Sequence, residues 1–76
     1  MTIDEFKEKI APHIRKGWVA MDKHYEYWFW HRIKPSIDID VWTCYSSNDM
    51  INLSYLFDIE PVEDRTKSLI EVGRFR

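Results

Sequence analysis

The N-terminal segment places its apolar side chains on one face of a predicted α-helix. Apolar residues recur there every three or four positions, at Ile3, Phe6, Ile10 and Ile14, which is the period of a helix. Thr2 and Glu5 have the spacing of a capping box, in which each side chain bonds the other residue's amide. Pro12 conflicts with a helix interior because it has no amide hydrogen. We therefore predict a helix over residues 3–10, followed by a kinked second turn that stops near Gly17.

Beyond this segment the pattern changes to short runs with the alternation of β-strands. We predict four strands, over residues 18–21, 25–32, 37–42 and 50–57. The third is the most regular, because apolar and acidic residues alternate from Ile37 to Val41, as in a strand with one buried face. A short C-terminal helix is expected to begin near Glu63, with Leu69, Ile70 and Val72 as its apolar face and Gly73 as its cap.

These elements predict an α+β fold in one domain, residues 1–76. Short connections favour an antiparallel meander, and the N-terminal helix is expected to cover one face of the four-stranded sheet. A chain of 76 residues buries only about 60% of the surface that its unfolded form exposes. Its aromatic content of 16% offers one way to enlarge so small a core.

The second predicted strand is unusually aromatic. Alternation along it puts Tyr25, Tyr27, Phe29 and His31 on one face and Glu26, Trp28, Trp30 and Arg32 on the other. If the helix covers the first face, the two tryptophans form an exposed apolar patch, and such patches mark contact sites. In the alternative arrangement the C-terminal segment covers that second face, and both tryptophans belong to the core.

An acidic block occupies the middle of the chain. Residues 35–64 contain seven acidic residues and no basic one, although the net charge is only −2. The block is either a solvated surface or a surface that meets a basic partner. We predict that Trp28 and Trp30 supply apolar anchors for a partner, that Asp38 and Asp40 supply charge complementarity, and that Arg32 belongs to the same surface.

The aromatic strand also allows a second kind of ligand. Exposed tryptophans can stack on nucleobases, and Arg32, Lys23 or Lys34 lies near enough in sequence to neutralise a phosphate. Cys44 and the histidines have no metal-ligand spacing, and His31 is expected to be a satisfied core or edge residue. We therefore expect no cofactor, no metal and no catalysis.

Several strings resemble small accessory proteins that are encoded by bacteriophages and prophages. The resemblance is carried by residues 17–22 (GWVAMD), the aromatic run 25–30, Lys34-Pro35, residues 57–61 (FDIEP) and residues 67–71 (KSLIE). Small phage proteins of this kind are often non-catalytic inhibitors that bind a host factor. The resemblance implies a partner rather than a substrate, and it carries no catalytic motif.

The predicted function is therefore a phage-type binding protein that inhibits a host defence protein, such as a CRISPR effector or a similar immune component. The alternatives are a sponge for a small nucleotide and a purely structural interaction protein. The sequence shows neither an apolar leader nor a run of about 20 apolar residues. We accordingly expect a location in the host cytoplasm and no membrane partner, and an uncovered tryptophan face would favour a homodimer.

Overall fold

The N-terminal helix forms as its capping residues predict. The computed structural model describes residues 1–31, 33–38, 41–43 and 50–73. Helix α1 spans Ile3–Lys9 and a 3₁₀ turn spans Ala11–His13. The Glu5 amide donates to Thr2 Oγ1 over 3.1 Å, and the Thr2 amide donates to Glu5 Oε1 over 3.2 Å. The capping box is confirmed, and so is the kink, because Pro12 stands in the 3₁₀ turn rather than inside α1.

Strands make up most of the remaining regular structure. They are β1 Gly17–Met21, β2 Tyr27–Trp30, β3 Ser36–Asp38, β4 Val41–Thr43, β5 Met50–Asn52 and β6 Ile70–Val72. Further 3₁₀ turns span Leu53–Tyr55 and Arg65–Lys67. One antiparallel sheet has the strand order β5-β2-β1-β6, and β3 pairs with β4 in a separate hairpin. The predicted α+β fold, a helix on a four-stranded antiparallel sheet, is confirmed.

The core lies between α1 and one face of this sheet. Its buried members are Phe6, Ala11, Val19, Met21, Tyr27, Phe29, Leu53, Ile59 and Val72. Phe6 is the residue of α1 that is fully enclosed, and its ring meets Phe57 edge to face at 5.9 Å. Tyr27 and Phe29 face the helix side of the sheet, since both belong to this core. Tyr25, which was expected on the same face, precedes β2 and is 64% exposed.

The third predicted strand, residues 37–42, does not join the main sheet. The chain reverses within it, so that Asp38 pairs with Val41 and Ile37 pairs with Trp42. Ile37 and Val41 were expected to be buried, but they are 38% and 44% exposed. The segment with alternating apolar and acidic residues therefore contributes to two paired strands, β3 and β4, and does not form one continuous strand.

The C-terminal segment supplies the fourth strand of the sheet instead of a helix. Asp64 caps the 3₁₀ turn by accepting from the Thr66 amide over 3.0 Å, but the turn ends at once. Ile70 and Val72 then pair with β1 as strand β6. Both residues are β-branched, which favours a pleated strand over a helix. The prediction of a short C-terminal helix from Glu63 is therefore wrong beyond its first turn.

The fourth predicted strand, residues 50–57, is shorter than expected. The Asn52 side chain accepts from the Ser54 amide over 2.9 Å, and this local bond turns the backbone into the 3₁₀ turn after β5. Leu53 is buried, whereas Tyr55 is 84% exposed.

Gly17 has a different role from the one predicted. It is the first residue of β1 rather than a left-handed stop. A Cβ atom there would collide with the Trp30 carbonyl oxygen and with the Phe29 ring. Glycine is required here because β1 and β2 approach closely at this point. Among the described residues, no helix is long and apolar enough to cross a membrane.

Candidate functional site

The second face of the sheet carries a cluster of indole rings. Trp18 pairs directly with Trp30, and Ala20 pairs with Trp28. Directly paired residues on antiparallel strands share a face, so all of these side chains lie opposite the core that α1 covers. β5 adds Met50 to the same face, because Met50 pairs with Trp30.

The β3–β4 hairpin supplies the other wall of a cleft over this face. The cleft has a volume of about 250 Å³. Its lining residues are Asp22, Lys23, His24, Trp28, Trp30, Val41, Trp42 and Met50. We call this site the indole cleft. Three of the four tryptophans in the chain line it, and they come from β2 and β4.

The three indole N–H groups differ in their hydrogen bonds. Trp28 Nε1 donates to Asp22 Oδ2 over 2.8 Å, and Trp42 Nε1 donates to the Arg65 carbonyl oxygen over 2.9 Å. Trp30 Nε1 is buried, and no described residue supplies an acceptor for it. Two of the rings are thus fixed by their polar atoms, while the N–H of the third has no acceptor in the part of the chain that the structure describes.

Asp22 organises the loop between β1 and β2. Its Oδ1 accepts from the His24 amide over 2.8 Å and from the Glu26 amide over 3.0 Å, while its Oδ2 holds Trp28. The backbone closes around this carboxylate, with the Asp22 amide donating to the Glu26 carbonyl oxygen over 2.8 Å. Three-residue hairpin loops of this kind end in a left-handed residue.

That left-handed residue is Tyr25, with φ 65°. A side chain other than glycine in this region costs about 1–2 kcal/mol, so the loop is held in place by the bonds to Asp22. The loop presents Lys23 and His24 to the indole cleft. A cationic amine and an imidazole therefore stand beside the three aromatic rings.

The structure places the predicted partner-binding residues in different surroundings. Trp28 is half-buried and lines the cleft, as does Trp30, but Trp30 is only 1% exposed. The predicted exposed patch is therefore wrong for Trp30, because the hairpin covers the face that the prediction left open. A homodimer was expected only for an open face, and it stays a prediction. Arg32 and Asp40 lie outside the described residues.

Asp38 is exposed, as predicted, and it lies beside the cleft. It pairs with Val41, which lines the cleft, across the β3–β4 hairpin. Lys34 is also exposed but does not line the cleft, whereas Lys23 does. Of the basic residues considered for a phosphate, Lys23 is the one that the described structure brings to the aromatic rings.

Sequence reasoning named Lys23 but missed the other residues that β4, β5 and the β1–β2 loop bring to the cleft. Trp42 was assigned to the end of a sheet strand, and His24 was considered only as a metal ligand and set aside. The available indication was the excess of aromatic residues, but nothing local says that Trp42 returns over Trp28 and Trp30. That placement depends on the reversal of the chain after Asp38.

The remaining histidine and cysteine predictions concern residues away from the cleft. His31 Nδ1 lies 3.0 Å from the Lys16 carbonyl oxygen, and its ring stacks on Phe29 at 6.4 Å. The prediction of a satisfied histidine is confirmed. Cys44 lies outside the described residues.

Comparisons of the chain with protein-family models, with curated proteins and with solved structures gave no match. The resemblance to phage accessory proteins therefore stays a prediction.

Proposed function

We propose that the protein is a non-catalytic binding protein, and that the indole cleft captures a flat group of its target. The observation that carries the proposal is the meeting of three indoles in one cleft, with one buried N–H left without an acceptor among the described residues. A buried donor without a partner costs about 1–3 kcal/mol. Because this N–H is enclosed, an acceptor reaches it only when binding shifts the neighbouring side chains, and a target that does so recovers this free energy.

The apolar walls favour a planar group. Aromatic rings pack in offset or edge-on geometries that are worth about 0.5–1.5 kcal/mol beyond the area they bury. Trp28 and Trp42 are held in position by their bonds to Asp22 and to the Arg65 carbonyl. Rings that are already fixed lose little conformational entropy when a target binds, and this preorganisation raises affinity.

The hydrogen bonds of the Asp22 carboxylate support a role in binding and not in catalysis. Both oxygens of Asp22 already accept hydrogen bonds, from two amides and from Trp28. A carboxylate has about four acceptor positions, and three of those of Asp22 are occupied by these bonds. Asp22 instead shapes the loop and orients an indole.

The biological role that we propose follows the resemblance to phage accessory proteins: antagonism of a host defence component in the host cytoplasm. For a protein target, Asp38 adds a carboxylate beside the cleft, where it faces solvent. Opposite charges on two surfaces speed association and select partners. A target with a basic rim around a flat apolar group fits this arrangement.

A substitution that fills the indole cleft with a larger side chain tests the proposal. Val41 is 44% exposed and lines the cleft, so Val41→Trp fills space there without disturbing the core. Ile51 is 51% exposed on β5 and faces the other side of the sheet, paired with Phe29. Ile51→Trp is therefore a matched control that adds the same bulk outside the cleft.

The experiment immobilises the three proteins, exposes them to a bacterial lysate, and identifies both the proteins and the small molecules that each retains. We expect a target that the native chain and Ile51→Trp retain and that Val41→Trp loses. Equal retention by all three proteins would contradict a role for the cleft.

A further inference from the structure

We infer that the group captured in the indole cleft belongs to a nucleotide: the base lies against the indoles, an acceptor atom of the base meets Trp30 Nε1, and the phosphate lies toward Lys23 and His24. This inference depends on the proposed function, since it names the chemistry of the ligand that the same cleft takes. It is carried by three properties of the cleft, which are its size, its unused donor and its charge.

The size of the cleft admits one ring system. Pockets for drug-sized ligands run from about 300 to 1,000 Å³, and the indole cleft is smaller, at about 250 Å³. Base stacking on aromatic side chains is favourable for every base because each has a π-face. Trp28 and Trp42 offer two fixed rings for such a base.

The Trp30 N–H disfavours ligands that bring no hydrogen-bond acceptor. Trp30 Nε1 is buried without an acceptor among the residues that the structure describes. An alkyl chain or a quaternary ammonium ion brings no acceptor, although aromatic cages suit such cations well. Nucleobases carry ring nitrogens and carbonyl oxygens at their edges, and these are acceptors.

The basic groups of the cleft stand on the β1–β2 loop, whereas the Asp38 carboxylate lies beside Val41 on the hairpin. The carboxylate of Asp22 is engaged with two amides and one indole. Lys23 and His24 follow it directly in the loop and line the same cleft. A phosphate attached to a stacked base therefore meets an ammonium group and an imidazole, which are its usual partners among side chains.

The test compares the parts of a nucleotide as separate probes. AMP, adenosine and ribose 5-phosphate are titrated by calorimetry and by thermal shift, since a ligand that binds only the folded chain raises its stability. We expect AMP to bind at least about 10-fold more tightly than either fragment, because each fragment lacks one of the two contacts. Ribose 5-phosphate that binds as tightly as AMP would overturn the inference, because the indoles would then add nothing.

Two pairs of variants assign the contacts. Lys23→Glu should weaken AMP to about the affinity of adenosine, whereas Lys7→Glu, the same change on the exposed face of α1, should leave AMP binding unchanged. Trp30→Phe keeps a ring but removes the donor, and it should weaken AMP more than Trp18→Phe does. Circular dichroism establishes that each variant is folded, and equal effects within either pair would overturn the assigned contact.

The outcome separates this inference from the proposed function. If none of the four nucleoside monophosphates binds at millimolar concentration while Val41→Trp still abolishes target capture, the cleft binds a target of another chemistry and the nucleotide inference is wrong. If Val41→Trp captures the target as the native chain does, the proposed function itself fails.

Discussion

The bond between Asp22 and Trp28 is the contact that shapes the indole cleft, and it predicts the effect of Asp22→Asn. Asparagine has the shape of aspartate, so its one oxygen can keep the two amides that Asp22 Oδ1 now accepts. Its NH₂ group then replaces Oδ2, which lies 2.8 Å from Trp28 Nε1. Two donors would face each other, and the indole would lose its fixed position.

The magnitude follows from the kind of bond that is lost. A hydrogen bond to a charged group contributes about 1.5–3 kcal/mol to stability. Trp28 is half-buried, so water replaces part of the loss. We therefore expect Asp22→Asn to lower the free energy of unfolding by about 1–2 kcal/mol.

A double-mutant cycle isolates this bond. Trp28→Phe removes the indole donor, so Asp22→Asn should cost much less in that background, with a coupling energy of about 1–2 kcal/mol from urea denaturation. Asp64→Asn is the matched control, because Asp64 also caps a turn, through Thr66, but does not contact Trp28. A coupling below about 0.5 kcal/mol, which is the usual limit of additivity, would refute the account of the cleft wall.

Three further variants test the fold around the cleft. Tyr25→Gly should raise the free energy of unfolding by about 0.5–1 kcal/mol, because φ is 65° and the side chain is 64% exposed. Gly17→Ala should lower it by about 1–3 kcal/mol, because the new Cβ collides with Phe29 and with the Trp30 carbonyl oxygen. Burial raises the pKa of Tyr27 above its ordinary value of 10.0, so the native chain should lose stability as the pH rises through 10 toward that raised pKa. Tyr27→Phe should lack this alkaline loss, and its deficit relative to the native chain should shrink above pH 10.

Thermal and urea unfolding measure all three effects. Tyr25→Ala separates left-handed strain from loss of the ring, since alanine keeps the strain and should not stabilise the chain. A stable Gly17→Ala variant would show that β1 and β2 lie further apart than described. Parallel alkaline curves for the native chain and Tyr27→Phe would contradict the buried phenol.

The parts of the fold that depend on local chemistry were predictable from the sequence. The capping box of Thr2 and Glu5 involves residues three positions apart, and both bonds form. The alternation of β2 also predicts its two faces correctly, because Tyr27 and Phe29 join the core under α1. A capping box and the alternation of side chains along a strand depend only on residues that are close in sequence.

The parts that depend on long-range pairing were not predictable. Residues 37–42 have the pattern of one strand, and only the pairing of Asp38 with Val41 makes them a hairpin. Ile70 and Val72 have apolar spacing that suits a short helix, but β1 offers them an open edge with which to pair. In both segments the secondary structure is decided by which strand is available for pairing, and the local sequence pattern does not specify that strand.

The candidate site combines both kinds of information. The aromatic strand indicated Trp28 and Trp30, and both line the cleft. The hairpin that covers them, with Trp42 on it, follows from the unforeseen reversal of the chain. The unused donor of Trp30 depends on the position of every neighbouring acceptor, which no sequence pattern specifies.

The most direct test of the central claim is a two-dimensional ¹⁵N–¹H spectrum of the indole N–H groups. The chain has four tryptophans, so it gives four such resonances, and three of them report on the cleft. When the target retained by the native chain is added, the account predicts large shifts for Trp28, Trp30 and Trp42, the Trp30 proton moving downfield as it gains an acceptor, and a smaller shift for Trp18. An unmoved Trp30 resonance in the saturated complex would contradict it.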